Sequence, residues 1–164
     1  MQIRSERPGD ANAIHALTRD AFEHAPHSSH TEQHIVDALR DAGALAMSLV
    51  AEDAGSIVGH VALSPVQLSD GSEGWYGLGP ISVAPERQGQ GVGAALMQAA
   101  MEALEAMGAA GCVLLGDPTY YGRFGFHAEP RLRLAGVPAE YFQARLLRGE
   151  WPDAEVTYHA SFSE

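Results

Sequence analysis

The chain has 164 residues, of which 46% are hydrophobic and 19% are charged, a balance typical of globular proteins. Its formal net charge of −11 argues against a nucleic-acid partner, because phosphate backbones bind basic surfaces. The single cysteine, Cys112, excludes an intramolecular disulfide framework. Met1–Glu6 lacks the apolar core of a signal peptide, and no apolar stretch of about 18 residues occurs. We therefore expect a cytoplasmic protein that forms one domain over residues 1–164 and has no membrane partner.

The first half of the chain predicts helices and a β-hairpin from its apolar periodicity. Asp10 is a candidate cap for the first helix, which places Ile14 and Leu17 on one apolar face. The turn sequence Asp53-Ala54-Gly55 separates two strand-like runs, as in a hairpin. In chain order, we expect a strand over 1–6, a helix from about 10, a helix over 31–41, and strands over 45–52 and 56–68.

The second half predicts a strand–helix–strand unit, which indicates a mixed α/β fold. The strand covers Trp75–Val83, and the helix covers Gly91–Met107. Spacings of three and four residues predict the buried face of this helix to be Val92, Leu96, Ala99, Ala103 and Met107. The remaining elements are expected to be a buried strand over 112–115, a short helix over 119–123, strands near 126–134 and 154–159, and a helix over 140–147.

The segment between the strand and the helix of this unit carries glycine at alternate positions. These glycines leave backbone amides uncovered just before a helix, where unpaired N–H groups and the helix dipole attract anions. Arg87 and the dipole would make the segment locally positive despite the negative charge of the chain. We therefore predict a phosphate-binding loop that consists of Gln88, Gly89, Gln90, Gly91, Val92, Gly93 and Ala94.

Two motifs in this part of the chain resemble those of the GCN5-related N-acetyltransferases (GNAT). Gln88-x-x-Gly91-x-Gly93 is similar to the family's Q/R-x-x-G-x-G/A signature. Tyr121-Gly122-Arg123-Phe124-Gly125-Phe126 is similar to its Tyr-x-x-x-Gly-Phe element. The resemblance covers about residues 1–130, and the rest of the chain resembles the YhbS-like subgroup. It implies a mostly antiparallel sheet with a central strand–helix–strand acyl-CoA unit, acetyl-CoA as cosubstrate, and an amine acceptor that the residues do not identify.

The strand before the loop is expected to hold the thioester end of acetyl-CoA. Backbone groups of Ile81, Ser82 and Val83 would pair with the pantetheine arm, and the resemblance implies that the Ile81 N–H faces the thioester carbonyl. Pro80 cannot donate a hydrogen bond to a neighbouring strand, so we expect a bulge there that frees these groups. A proline that only stiffens the start of the strand is the alternative interpretation.

Tyr121 is the candidate proton donor to the departing thiolate, because it occupies the tyrosine position of the family motif. Tyr120 is the competing residue, and simple aromatic packing is the alternative to both. The base for the amine stays open, because the position at which many GNAT enzymes carry glutamate is Gly77. Glu73, His60 and a water relay are the remaining candidates.

Other classes of protein share some of these features. Gly89-x-Gly91-x-x-Ala94 fits a variant dinucleotide-binding pattern, but Ala84–Gln88 separate it from the strand and the chain is short for that fold. A non-catalytic acyl-CoA-binding or sensory module is the alternative function, and a homodimer is an open question of assembly.

Histidines are frequent in the first third of the chain. His30 and His34 have the spacing of a zinc-binding helix, but no third ligand is evident and the glutamate is displaced from the metalloprotease order. We expect solvated side chains and no metal; the alternative, which the GNAT resemblance implies, is that this segment lines the acceptor pocket. The group consists of His15, His24, His27, His30 and His34.

Overall fold

A six-stranded sheet forms the centre of the protein, in a computed structural model that describes residues 1–26 and 28–163. The strands are β1 (Gln2–Ser5), β2 (Met47–Asp53), β3 (Ser56–Pro65), β4 (Gln67–Leu68), β5 (Trp75–Val83), β6 (Gly111–Leu115), β7 (Leu132–Arg133), β8 (Phe142–Leu146) and β9 (Ala154–Thr157). The central order is β1-β2-β3-β5-β6-β8, in which only β5 and β6 run parallel. A smaller sheet has the order β4-β9-β7. The predicted mixed, mostly antiparallel α/β architecture is confirmed.

Helices cover both faces of the central sheet. They are α1 (Ala11–Phe22), α2 (Glu32–Asp41), α3 (Val92–Ala106) and α4 (Pro118–Tyr121). On one face, Ile14 of α1 and Val36 of α2 pack on Val50 of β2. On the opposite face, Gly59 of β3 lies so close to α3 that an added Cβ would be 2.7 Å from Val92. The histidine His27 lies outside the described residues.

The segment 140–147, expected to be a helix, forms a strand instead. Residues 142–146 make up β8, which pairs antiparallel with β6 and so completes the central sheet. Glutamine, alanine, arginine and leucine in this segment are good helix formers, so local propensity favoured a helix. The open edge of β6 overrides that preference, because it supplies a full set of backbone hydrogen-bond partners.

The predicted buried face of α3 is also partly wrong. Met107 is 47% exposed, and Ala99 and Ala103 are only partly buried. The buried residues are Val92, Leu96, Met97, Ala100, Met101 and Leu104. Because α3 is apolar on more than one side, its periodicity permits several stripes, and packing selects the one with the bulkier side chains.

Candidate functional site

The segment 88–94 covers the end of the connection between β5 and α3 and the first turn of α3, and two of its glycines adopt left-handed backbone angles. Gly89 has φ = 77°, and Gly91, which caps α3, has φ = 87°. A Cβ at either position would meet nothing within 4 Å, so these glycines are required by backbone conformation and not by space. Among the described residues, no side chain caps the first turn of α3. Its N–H groups therefore remain available to a bound anion.

A cavity of about 320 Å³ lies against this loop. Val83 closes one side at the end of β5, and the segment after β6 contributes two further side chains. The complete lining is Val83, Arg87, Gln88, Gly89, Gly91, Val92, Gly93, Ala94, Tyr120 and Arg123. The cavity therefore combines exposed backbone amides with two guanidinium groups, a composition that suits a phosphorylated ligand.

Two contacts hold the loop in place. The Gln88 side-chain amide donates to the Val83 carbonyl over 3.3 Å, which ties the loop to the end of β5. The Arg87 guanidinium lies 2.7 Å from the carboxylate of Asp53 at the end of β2. This ion pair lowers the pKa of Asp53. It also neutralises part of the positive charge of Arg87. Arg87 is therefore a weaker source of positive potential for a ligand than the sequence suggested.

Tyr120 and Arg123 are the lining residues that the sequence did not assign to the cofactor. The Tyr120 hydroxyl lies 3.1 Å from the position that a Cβ on Gly93 would take, so a larger residue there would require Tyr120 to shift. The Arg123 guanidinium carbon lies 4.6 Å from the centre of the Tyr120 ring, a cation–π contact. Tyr120, the competing candidate for the proton donor, lies in the lining beside the loop. The sequence could have indicated a cofactor contact for Arg123, because this residue is a cation within the Tyr121–Phe126 motif.

Tyr121, the predicted proton donor, lies beside this cavity and not in its lining. Its ring packs on the hydrophobic core and so close to Gly116 that an added Cβ would overlap it. It also makes an edge-on contact with Tyr120, with 4.9 Å between the ring centres. Burial raises the pKa of Tyr121 to about 12, so its hydroxyl stays protonated at neutral pH and can donate a hydrogen bond.

The expected bulge and separation of strands occur at β5. Leu63 pairs with Leu78 and Val61 with Ile81, so Gly79 and Pro80 together oppose a single residue of β3. β5 pairs with β6 only from Trp75 to Gly77, and beyond that point the two strands separate. Within residues 1–26 and 28–163, the backbone from Ile81 to Val83 therefore has no strand partner on its β6 side.

The predicted loop residues come together around the cavity, except Gln90, whose side chain instead donates to a backbone carbonyl 3.2 Å away. Ile81 packs on the core below α3, and Ser82 is buried opposite His60. Neither side chain lines the cavity, so any contact of Ile81 or Ser82 with a ligand must use their backbone groups.

The three positions considered for a base differ in their surroundings. A Cβ on Gly77 would lie 3.0 Å from the ring of Tyr158, so an aromatic side chain fills the space of the missing glutamate. Glu73 is exposed before the start of β5, about 20 Å of strand away from Ile81. His60 is fully buried, and burial lowers its pKa to about 4. None of the three presents an accessible base beside the separated strands.

The comparison with known proteins decides the family. The model of the acetyltransferase (GNAT) domain matches residues 2–128. The chain belongs to the GNAT family. It is 38% identical over 151 residues to YhbS of Escherichia coli K12, an uncharacterized N-acetyltransferase, covering 89% of this chain and 87% of the relative.

Two solved GNAT structures resemble the whole chain. A GNAT acetyltransferase from Brucella melitensis in complex with acetyl-CoA has 47% identity and a TM-score of 0.88, with 98% of this chain and 97% of that chain covered. Escherichia coli YhbS in complex with CoA has 36% identity and a TM-score of 0.91, with 99% and 92% covered. The resemblance of the C-terminal residues to the YhbS-like subgroup is confirmed. In the described part of the GNAT chain, no helix is long and apolar enough to cross a membrane.

Proposed function

We propose that residues 1–164 form one acetyltransferase domain that transfers an acetyl group from acetyl-CoA to a primary amine. The observation that carries this proposal is the cavity at the start of α3, where uncapped amides and Arg123 can neutralise a pyrophosphate. The GNAT relatives whose structures contain acetyl-CoA or CoA support it. We further assign the protein to the cytoplasm, whose reducing conditions suit the single free thiol of Cys112.

The thioester would lie where β5 separates from β6. The pyrophosphate binds the amides of residues 88–94, and the pantetheine arm pairs with the free backbone edge at Ile81, Ser82 and Val83. The bulge at Pro80 turns the Ile81 N–H toward the thioester carbonyl, where it stabilises the oxyanion. Mutational precedent assigns about 3–4 kcal/mol to one such donor.

The reaction proceeds by direct attack of the neutral amine on the thioester carbonyl. A C–N bond forms, the C–S bond breaks, and CoA leaves as a thiolate that receives a proton. An acyl-enzyme on Cys112 is disfavoured, because this residue is fully buried and burial raises the pKa of its thiol. No other cysteine exists in the chain.

Tyr121 is the proposed donor to the thiolate. With a pKa of about 12 against about 8.5 for a thiol, complete proton transfer is uphill by about 5 kcal/mol. A hydrogen bond from the hydroxyl to the sulfur avoids this cost, and solvent then supplies the proton. Tyr120 is assigned to the pyrophosphate end of the cofactor, because its hydroxyl lies beside Gly93 of the loop.

A water molecule is the proposed first acceptor of the amine proton. Gly77 carries no side chain, Glu73 is remote, and His60 is enclosed by the protein. Lysine-like amines have a pKa near 10.4, so the neutral fraction, and with it the rate, should rise with pH through the neutral range.

A screen for release of free CoA tests the proposed activity. Purified protein is incubated with acetyl-CoA and, in separate wells, polyamines, aminoglycosides, amino acids or peptides with free N-termini. Turnover with one class, with the acetyl group recovered on nitrogen by mass spectrometry, supports the transferase. Tight binding of acetyl-CoA without turnover on any amine would favour a non-catalytic acyl-CoA sensor. Light scattering on the same sample decides whether a homodimer forms.

A further inference from the structure

Two histidines and an aspartate meet where α1 packs against α2. His15 comes from α1, while His34 and Asp37 lie one helical turn apart on α2. One ligand atom from each residue lies within 4.8 Å of the other two. The His15 Nδ1 is 2.7 Å from the Asp37 Oδ2, and the two imidazole rings meet edge-on with 5.5 Å between centres. We call these three residues the His-His-Asp cluster.

This cluster differs from the histidine pair that the sequence pointed to. His30 has a positive φ of 61° and precedes α2, which begins at Glu32. His30 and His34 therefore do not occupy successive turns of one helix. The second imidazole comes instead from His15, 19 positions earlier in the chain than His34. Only the packing of the two helices reveals it.

We propose that the His-His-Asp cluster binds a divalent transition-metal ion of the zinc type. Two imidazole nitrogens and one carboxylate oxygen are a donor set that suits such ions, whereas Mg²⁺ and Ca²⁺ prefer oxygen ligands alone. Side chains at His15 and Asp37 are 32% and 38% exposed, so water can occupy a remaining coordination position. The ion joins α1 to α2 and takes no part in acetyl transfer.

The three ligand atoms must shift to reach the spacing that a single ion requires. Ligand atoms on a tetrahedral zinc ion, with bonds of about 2.0–2.2 Å, are separated by about 3.3 Å. The Nδ1–Oδ2 distance of 2.7 Å must therefore open slightly, and the wider separations, of up to 4.8 Å, must close by up to about 1.5 Å. All three side chains are at least partly exposed, so rotamer changes are sterically open to them.

The charged groups around the cluster include some that attract a cation and one that repels it. Arg40 lies 3.3 Å from the other carboxylate oxygen of Asp37, which holds the carboxylate in place and leaves Oδ2 for the ion. That guanidinium repels a cation, but it is engaged more closely with Glu6, at 2.6 Å. The net charge of −11 on the whole chain attracts cations to the surface.

Calorimetry with metal-free protein tests the site, using zinc chloride as the probe and magnesium chloride as the control. We expect one zinc ion per chain and no heat with magnesium. His15→Gln and His34→Ala should each weaken zinc binding at least about tenfold. The exposed His24, outside the cluster, provides the matched control, and His24→Ala should bind zinc as the unmodified protein does.

Thermal unfolding supplies a second measurement that does not depend on enzymatic activity. Zinc should raise the melting temperature of the unmodified protein and of His24→Ala, because the ion binds only when α1 and α2 are packed. It should not raise that of His15→Gln, whose melting temperature without zinc checks that it is folded. Absence of zinc binding, or zinc binding equally strong in the His15 and His34 variants, would overturn the proposal.

Discussion

At the two adjacent tyrosines, the difference in environment predicts a difference in kinetics. Tyr121→Phe should lower kcat about 10–100-fold, because a hydrogen bond to the charged thiolate contributes about 1.5–3 kcal/mol, and should leave acetyl-CoA affinity nearly unchanged. Tyr120→Phe should leave kcat almost intact, because its hydroxyl faces Gly93 in the loop. Steady-state kinetics on the best amine of the CoA-release screen distinguish the two. The reverse pattern would assign the hydrogen bond to the sulfur to Tyr120, and full activity of both variants would show that neither hydroxyl assists the departing thiolate.

Arg123 makes a separate prediction about cofactor binding. Replacing its charge by Arg123→Gln should weaken acetyl-CoA binding by about 10–100-fold, since a hydrogen bond to a charged group contributes about 1.5–3 kcal/mol. Arg133→Gln removes the same charge from an exposed ion pair with Asp153 and serves as the control. Calorimetry at low and high salt should show that the Arg123 effect shrinks with ionic strength. Equal affinities in the two variants would remove Arg123 from the site.

The buried side chain of His60 makes the free energy of unfolding depend on pH. It is completely buried, and its Nε2 lies 2.8 Å from the Ser48 hydroxyl. Burial lowers its pKa to about 4, against about 6.5 in the unfolded chain. Between these values the unfolded state binds a proton that the folded state does not, so the free energy of unfolding falls as pH decreases. The loss from pH 7 to pH 4 should reach about 3 kcal/mol.

Urea unfolding at several pH values measures this contribution. His60→Gln keeps a polar group for Ser48 but cannot titrate, so its free energy of unfolding should depend less on pH between 6.5 and 4. An unchanged pH dependence in the variant would show that other groups, such as the Glu6–Arg40 ion pair, account for acid sensitivity.

At the level of elements, the contact between β3 and α3 depends on Gly59. A Cβ there would lie 2.7 Å from Val92 and 2.9 Å from Leu96. Gly59→Ala should therefore lower the free energy of unfolding by about 1–3 kcal/mol through overpacking. It should also weaken acetyl-CoA binding, because Val92 belongs to the loop. Gly9→Ala, at a position with nothing within 4 Å, is the control, and equal stability of the two variants would contradict this account.

The elements also show what the sequence could predict. The backbone conformation from Gln88 to Ala94 was predictable because it depends on local features, namely glycines before a helix. The strand β8 and the buried face of α3 were not, since each depends on a partner that is distant in the chain. The place of Tyr120 in the cavity lining was not predictable for the same reason, because only the fold brings the segment after β6 against Gly93. The His-His-Asp cluster likewise requires two packed helices.

For the molecule as a whole, an acidic protein is expected to bind a highly anionic cofactor. The net charge of −11 opposes this association at long range, so the attraction must come from the loop amides, the α3 dipole and Arg123. Raising the salt concentration screens both the long-range repulsion by the net charge and the local attraction at the cavity. The attraction is screened less, because its contacts are shorter. The central claim is therefore that acetyl-CoA binds through the conformation of this loop.

Calorimetric titration of acetyl-CoA into three proteins tests that claim most directly. The unmodified protein should bind acetyl-CoA and not NAD. Gly91→Val should abolish binding, because a β-branched residue cannot readily adopt φ = 87° at the cap of α3. Gly136→Val introduces the same strain at φ = 84°, in open space outside the cavity, and should bind normally. Equal affinity for NAD, or undiminished binding of acetyl-CoA by Gly91→Val, would contradict the account.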